Sequence, residues 1–185
     1  VDQYNPNEIA ASLGLPLFIK PSDSGSSYGI SKVKTIEEIP KALQFAFKEG
    51  KTVVVESFLD GIEVTCGVYR SVHGLVALPL TEIVSDNEFF DFEAKYQGKS
   101  SEITPARIPE DLTLEVQSMA KKIYELLQLK SIARIDFMVV NNHPYVIEVN
   151  TTPGFSAASI VPQMLSVAGI PLSDFWAEII SVELD

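Results

Sequence analysis

Ile132-Ala-Arg-Ile-Asp-Phe-Met-Val-Val140, Asn141-Asn-His-Pro144 and Tyr145-Val-Ile-Glu-Val-Asn150 follow one another without a break: two apolar runs around a turn. Strands send alternate side chains to opposite faces. Arg134, Asp136 and Met138 therefore share one face of the first strand, and Glu148 and Asn150 share one face of the second. Pairing Asp136 with Glu148 sets Arg134 opposite Asn150 and leaves a three-residue hairpin loop. The other face, with Ile135, Phe137, Val139, Ile147 and Val149, reads as core. Carboxylates in such strands are costly to bury unless paired or bound to a cation. Two readings stand side by side. The oxygen-only donors Asp136, Glu148 and Asn150 suit Mg²⁺ that carries substrate phosphates. Alternatively, Arg134 neutralises Asp136 and Glu148 in a structural ion pair.

Working outward, 185 residues at 46% hydrophobic content can bury a real core. Lys and Arg total 14 against 25 Asp and Glu, a net charge of −11. That balance argues against a nucleic-acid or anionic-membrane surface, though not against a nucleotide ligand. No apolar run is long enough to span a membrane, and the polar start, Val1 to Asn7, has no signal-peptide pattern. The start also has no initiator Met, which suggests a cut end. Cys66 is the one cysteine. It reads as a buried, inert thiol and fits a reducing compartment, with cytoplasmic localisation expected.

The remaining pattern mixes strands and helices. Leu17 to Lys20 and Ile30 to Val33 read as strands joined by a Ser/Gly loop. Thr35 with Glu38 predicts a capping box that opens a helix with Ile39, Leu43, Ala46 and Phe47 on one face, stopped at Gly50. Pro40 is expected to distort its first turn. Thr52 to Leu59 and Glu63 to Tyr69 read as strands, with a tight reversal at Asp60-Gly61, and Leu75 to Val84 continues the strand pattern. Ser85 to Ile108 reads as a long irregular loop, a length that usually signals function. Glu110 to Leu127 reads as a helix whose core stripe is Leu112, Val116, Met119, Ile123 and Leu126. A helix is expected from Ser156 to Val167, with Ser156 as N-cap, and another from Ser173 to Val182.

Four segments carry polar residues suited to chemistry. In Lys20-Pro-Ser-Asp-Ser-Gly-Ser-Ser-Tyr-Gly29, glycines free backbone N–H groups to face an anion and Lys20 adds charge. The bland alternative is a flexible hairpin loop. The strand Val53 to Leu59 offers backbone hydrogen bonds to a planar base, with Glu63 nearby for ribose hydroxyls. Alternatively it is an ordinary strand with a surface Glu. The aromatic loop Phe89-Phe-Asp-Phe-Glu-Ala-Lys-Tyr96 could close on a substrate through Lys95, or be a solvated surface loop. Asn150-Thr-Thr-Pro-Gly-Phe-Ser-Ala-Ala-Ser-Ile160 leads into a helix start, where free N–H groups bind carboxylates, or is only a strand–turn–helix connection.

Taken together and in this order, the segments resemble the C-terminal part of the D-alanine–D-alanine ligases of the ATP-grasp superfamily. The motifs are Ile19-Lys-Pro-Ser with Gly25-Ser-Ser-Tyr-Gly29, Phe90-Asp-Phe-Glu-Ala-Lys-Tyr96, Ala133-Arg-Ile-Asp136, and Glu148-Val-Asn-Thr-Thr-Pro-Gly154 continuing to Ser159. The resemblance starts at about Ala11. It implies an α+β ATP-grasp fold: antiparallel sheets with helices on one side, a truncated central subdomain over 1–62, and a C-terminal subdomain over 63–185, with ATP between them. It further implies ATP-dependent ligation of two D-alanines through an acyl phosphate, for peptidoglycan precursors.

By position, Lys20, Gly25 and Ser27 would meet the α- and β-phosphates and Lys95 the γ-phosphate. Glu56, Ser57, Phe58 and Leu59 would receive adenine, with Phe89, Met138 and Ile147 around the ring and Glu63 on the ribose. Asp136, Glu148 and Asn150 would hold a pair of Mg²⁺ ions, Mn²⁺ being an alternative. Ser26 and Tyr96 would hydrogen-bond near the first substrate. Arg134 and the Gly154 N–H would form the oxyanion site, so that Arg134 stops being a mere neutralising partner. Ser159 and the Ile160 N–H would take the second substrate's carboxylate. The family's N-terminal domain and a further ATP-binding lysine are missing, and Phe90 stands where Tyr is common. A fragment incomplete for activity is therefore expected, from a homodimeric parent. Competing readings are another ATP-grasp ligase, including makers of D-alanyl-D-lactate, which Tyr96 disfavours, or a nucleotide-binding module inactive alone.

Overall fold

In the computed structural model, which describes residues 4–23, 28–85 and 100–184, alternation along the strands decides what each sheet buries. The described residues fall into two units, one reaching Leu59 and the other starting at Asp60.

The first unit runs α1 (Pro6–Leu13), β1 (Leu17–Pro21), β2 (Ser31–Val33), α2 (Ile39–Glu49) and β3 (Val53–Ser57). Its antiparallel sheet has the order β2-β1-β3. Leu17, Ile19 and Val33 pack against Ile39, Ala42, Leu43 and Ala46 of α2, with Phe47 partly buried beside them. The alternate residues Phe18 and Lys20 are thereby turned to the uncovered face. Glu38 accepts from the Thr35 N–H at 3.2 Å, and a single 3-10 turn, Ile36–Glu38, leads into α2. Pro40 sits in the first turn of α2, where its missing N–H removes no intrahelical bond. The helix α1 was not expected. Asn5 caps it and Pro6 opens it, signals that a reading centred on apolar periodicity passes over.

The second unit runs β4 (Ile62–Ser71), β5 (Gly74–Ala77), β6 (Thr81–Ser85), β7 (Ser100–Ile103), α3 (Glu110–Leu126), β8 (Ile132–Val140), β9 (His143–Asn150), α4 (Ile160–Val167) and α5 (Leu172–Leu184). Its antiparallel sheet has the order β7-β6-β4-β8-β9, with β5 also on β4. Val64, Cys66, Val68, Ile135, Phe137 and Val139 face α3 through Leu112, Val116, Ala120 and Tyr124. Among the described residues of this unit, α4 and α5 cover one end of the opposite face. Met164 approaches Gly67, where a Cβ would lie 3.3 Å from its sulfur, and Phe175 meets Tyr69 edge-on at 5.1 Å. The rest of that face carries the polar residues of β4, β8 and β9.

Several expectations change. Asp60-Gly61 is no hairpin: β3 and β4 belong to different sheets. Gly61 is needed for another reason, since a Cβ there would collide with the Val139 carbonyl. Of the stretch read as a loop from Ser85 to Ile108, Ser85 closes β6 and Ser100–Ile103 form strand β7, which pairs with β6, while 86–99 lie outside the described residues. On α3, Met119 and Ile123 pack against the core as expected, partly buried, but Leu126 is 81% exposed, and Ala120 and Tyr124 are fully buried instead. The fourth helix starts at Ile160, with Ser159 rather than Ser156 in the N-cap position.

Between β8 and β9, Asp136 pairs with Glu148 and Arg134 with Asn150, but the register slips after Asp136. Phe137 pairs with Val146, so Ile147 is an extra bulged residue, and it is 37% exposed instead of buried. The turn shrinks to Asn141-Asn142, both with positive φ (51° and 62°). That geometry matches the twist of the hairpin, and Asn tolerates it.

Candidate functional site

The uncovered face of the large sheet is built by cross-strand pairing. Thr65 on β4 lies opposite Asp136 on β8, which lies opposite Glu148 on β9. Glu63 lies opposite Met138, and Gly67 opposite Arg134, in the same way. Directly paired residues share a face, so Glu63, Thr65, Arg134, Asp136, Met138, Glu148 and Asn150 all project together.

Their contacts are specific. Arg134 grips Asp136 with both prongs, Nε to Oδ1 and Nη2 to Oδ2, each at 2.9 Å. Thr65 Oγ1 donates to Asp136 Oδ1 at 2.5 Å. Asn150 Nδ2 donates to Asp136 Oδ2 at 2.9 Å and to Glu148 Oε1 at 3.4 Å. The ion pair weighed from the sequence therefore exists between Arg134 and Asp136, while Glu148 touches Asn150. Burial works to lower the Arg134 pKa, but the hydrogen bonds to Asp136 and the charges of Asp136, Glu148 and Glu63 outweigh it and hold the guanidinium above its ordinary value.

The connection after Asn150 is anchored by aromatic rings. Phe155 stacks on Phe175 at 5.4 Å and meets Trp176 at 4.6 Å. Next to it, Gly154 is exposed and leaves little room, since a Cβ would come within 3.1 Å of Ser159 Oγ. Ser159 Oγ accepts from the Ser156 N–H at 3.0 Å. Ile160 is buried and opens α4.

In the first unit, Lys20 Nζ pairs with Glu56 Oε1 at 2.6 Å on the face away from α2. Phe58 lies 6.0 Å from Phe18, with Lys32 Nζ 4.0 Å over its ring. Ser57 Oγ donates to the Leu13 carbonyl, Leu59 is half-buried, and β3 is an edge strand. Gly25, Ser26, Ser27, Phe89, Lys95 and Tyr96 lie outside the described residues.

Comparison with known proteins places the chain in a family. The family described as "D-ala D-ala ligase C-terminus" matches residues 2–181. The chain belongs to that family. It is 50% identical over 183 residues to a D-alanine–D-alanine ligase of Flavobacterium johnsoniae, covering 99% of this chain and 57% of the relative. Its fold is that of the VanG D-Ala:D-Ser ligase from Enterococcus faecalis, with TM-score 0.83, 35% identity, and 95% of this chain on 51% of that one. It also matches the D-alanine–D-alanine ligase from Bacillus anthracis complexed with ATP, with TM-score 0.81, 30% identity, and 100% of this chain on 57% of that one. The chain thus spans a little over half the length of the relatives it matches. The α+β ATP-grasp class follows from these likenesses and from the antiparallel sheets with their helices.

Within this ligase family chain, two site neighbours were not expected from sequence. Thr65 reads as an ordinary strand residue, and its alternation with Glu63 was the available signal. Lys32 shares the uncovered face of the small sheet with Lys20, two places along β2 from Ile30. The donor set is that of a divalent-cation site of few protein ligands. Asp136 and Glu148 give carboxylate oxygens side by side, and the Asn150 amide adds another once its oxygen replaces its nitrogen. Among the described residues no group of three or more His, Cys, Asp and Glu side chains is poised to hold a metal. Two carboxylates and an amide suit Mg²⁺, which binds few protein ligands and completes its shell with water and phosphate. Among the described residues no single helix is long and apolar enough to cross a membrane. Cys66 is buried, and burial pushes its thiol up to about 12, so it is unreactive as expected.

Proposed function

We propose that this chain carries the nucleotide- and cation-binding residues of a cytoplasmic, homodimeric ATP-dependent ligase. The ligase joins two D-alanines into D-alanyl-D-alanine for peptidoglycan precursors. The observation that carries the reading is the pairing of Asp136 with Glu148 and of Arg134 with Asn150 on one uncovered sheet face. Family membership and the 50% identical relative named a D-alanine–D-alanine ligase support it.

On this reading Lys20, Gly25 and Ser27 hold the α- and β-phosphates and Lys95 the γ-phosphate. Glu56 to Leu59 receive the base, with Phe89, Met138 and Ile147 around it and Glu63 on the ribose. The exposure of Ile147, produced by the bulge, suits a residue that touches a ligand. Asp136, Glu148 and Asn150 would hold Mg²⁺, or Mn²⁺, which when bound would supply charge neutralisation for phosphoryl transfer. A carboxylate oxygen of the first D-alanine, near Ser26 and Tyr96, attacks the γ-phosphorus, ADP leaves and an acyl phosphate forms. The amine of the second D-alanine, its carboxylate on Ser159 and the Ile160 N–H, attacks the acyl carbon. Arg134 and the Gly154 N–H stabilise the oxyanion, and phosphate departs. Arg134 Nη1, which takes no part in the two hydrogen bonds to Asp136, is the donor available for this. A second reading keeps this chemistry with D-serine as second substrate, since one similar structure bears that name.

Calorimetric titration tests the nucleotide half. Mg·ATP should bind, and Asp136→Ala or Glu148→Ala should weaken binding by at least about 100-fold, beyond the usual effect of outer-shell partners. A folded wild-type chain that ignores Mg·ATP would sink the reading. Phosphate release by the full-length protein should require D-alanine, and equal turnover with L-alanine would refute the substrate assignment. Faster release when D-serine accompanies D-alanine would select the second reading.

A further inference from the structure

Asp136 is held by donors from three strands: Thr65 on β4, Arg134 on β8 and Asn150 on β9. Two of the three have other work in the function proposed above. Arg134 serves the oxyanion, and Asn150 ligates the cation through its oxygen, turning away the Nδ2 that now faces Asp136. Thr65 is the donor of the three with no other work in that function.

The surroundings of Thr65 fix what its hydroxyl does. The residue is 1% exposed on the central strand. Its Oγ1 lies 2.5 Å from Asp136 Oδ1 and 3.4 Å from the Ile135 carbonyl, both of them acceptors. A buried hydroxyl between acceptors has to donate, and the carboxylate is the nearer. With Oδ1 tied to β4, Oδ2 is the oxygen on the side of Asn150. Being β-branched, Thr65 also has few χ1 choices, so the tie is stiff.

We propose that Thr65 is a positioning residue for the cation: it orients the Asp136 carboxylate so that Oδ2 is the ligand oxygen. The inference rests on the cation reading above. Outer-shell partners of this kind change metal affinity by about 10- to 100-fold when removed.

The test is Mn²⁺ titration, read by electron paramagnetic resonance of the free ion, in the presence of a non-hydrolysable ATP analogue. Thr65→Val keeps the shape and loses the donor, and should weaken Mn²⁺ by about 10-fold or more. Thr65→Ser keeps the donor and should bind within about threefold of wild type. In an Asp136→Asn background, adding Thr65→Val should change Mn²⁺ binding little, because the carboxylate it served is gone. Circular dichroism melts check that each variant folds, and Thr65→Ala replaces Thr65→Val if that variant does not. Tight Mn²⁺ binding by a folded variant without the hydroxyl would overturn the role of Thr65 alone. Failure of the wild type to bind Mn²⁺ would overturn the cation reading and this inference with it.

Discussion

Arg107 on Glu82 and Arg134 on Asp136 are the same two-pronged pair, set on opposite faces of one sheet. Glu82 pairs with Val64 and so faces α3, whereas Asp136 pairs with Thr65 and faces away from it. Arg107 holds Glu82 three times over, through Nε at 2.9 Å, Nη2 at 2.7 Å and its backbone N–H at 3.1 Å. The Arg107 side chain is 62% exposed and shields a carboxylate only 10% exposed. Charge is balanced and the pair is closed. Asp136 instead takes donors from three residues, and its arginine also feels Glu148 and Glu63. Asp136, Glu148 and Glu63 all act on Arg134, and a bound cation would ease the repulsion between neighbouring carboxylates. An arginine–carboxylate pair is thus read as structural or functional by what else faces the carboxylate.

The comparison can be broken by removing each arginine. Arg107→Ala strands a buried carboxylate and should cause the larger loss in chemical denaturation, the same with or without Mg²⁺. Arg134→Ala should cost about 1 kcal/mol, since Asp136 keeps Thr65 and Asn150, and millimolar Mg²⁺ with an ATP analogue should restore part of it. Equal losses, both indifferent to the cation, would erase the distinction.

Acid sharpens it further. The hydrogen bond from Arg107 leads in holding the Glu82 pKa below 4.5, against the opposing effect of burial. A depressed folded value means the pair stabilises fully above about pH 4.5 and progressively less as pH falls through the folded value. Thermal melts below that pH should therefore decline less steeply for Glu82→Gln than for wild type. The smallest effect is expected at Glu148, which is exposed. Glu148→Gln should shift stability by less than about 0.5 kcal/mol in the absence of ligand, while still damaging Mg·ATP binding.

The same contrast explains what the sequence made legible. Asp136, Glu148 and Asn150 stand out because charge interrupts a strict alternation, and their register follows from it. The bulge at Ile147 does not, because nothing local in Tyr145 to Asn150 distinguishes a slipped pairing from a regular one. Strand β7 was hidden because Ser-Ser-Glu-Ile is too polar to read as a strand; pairing with β6 makes it one. Glu82 passed unnoticed because its partner lies 25 residues away, across a stretch read as loop. On α3, Ala120 and Tyr124 were undervalued against Leu126, since small and amphipathic residues score weakly as apolar while tertiary contact decides which turn is covered.

The rings that anchor Phe155 have a consequence of an optical kind. Trp176 is the chain's single tryptophan. It lies against Phe155, the residue after Gly154, and is 40% exposed. Its emission therefore comes from one place, beside the loop that is proposed to meet the oxyanion, and is partly in water. The protein carries its own fluorophore against that loop, so a change in its packing can be followed in solution without attaching a label.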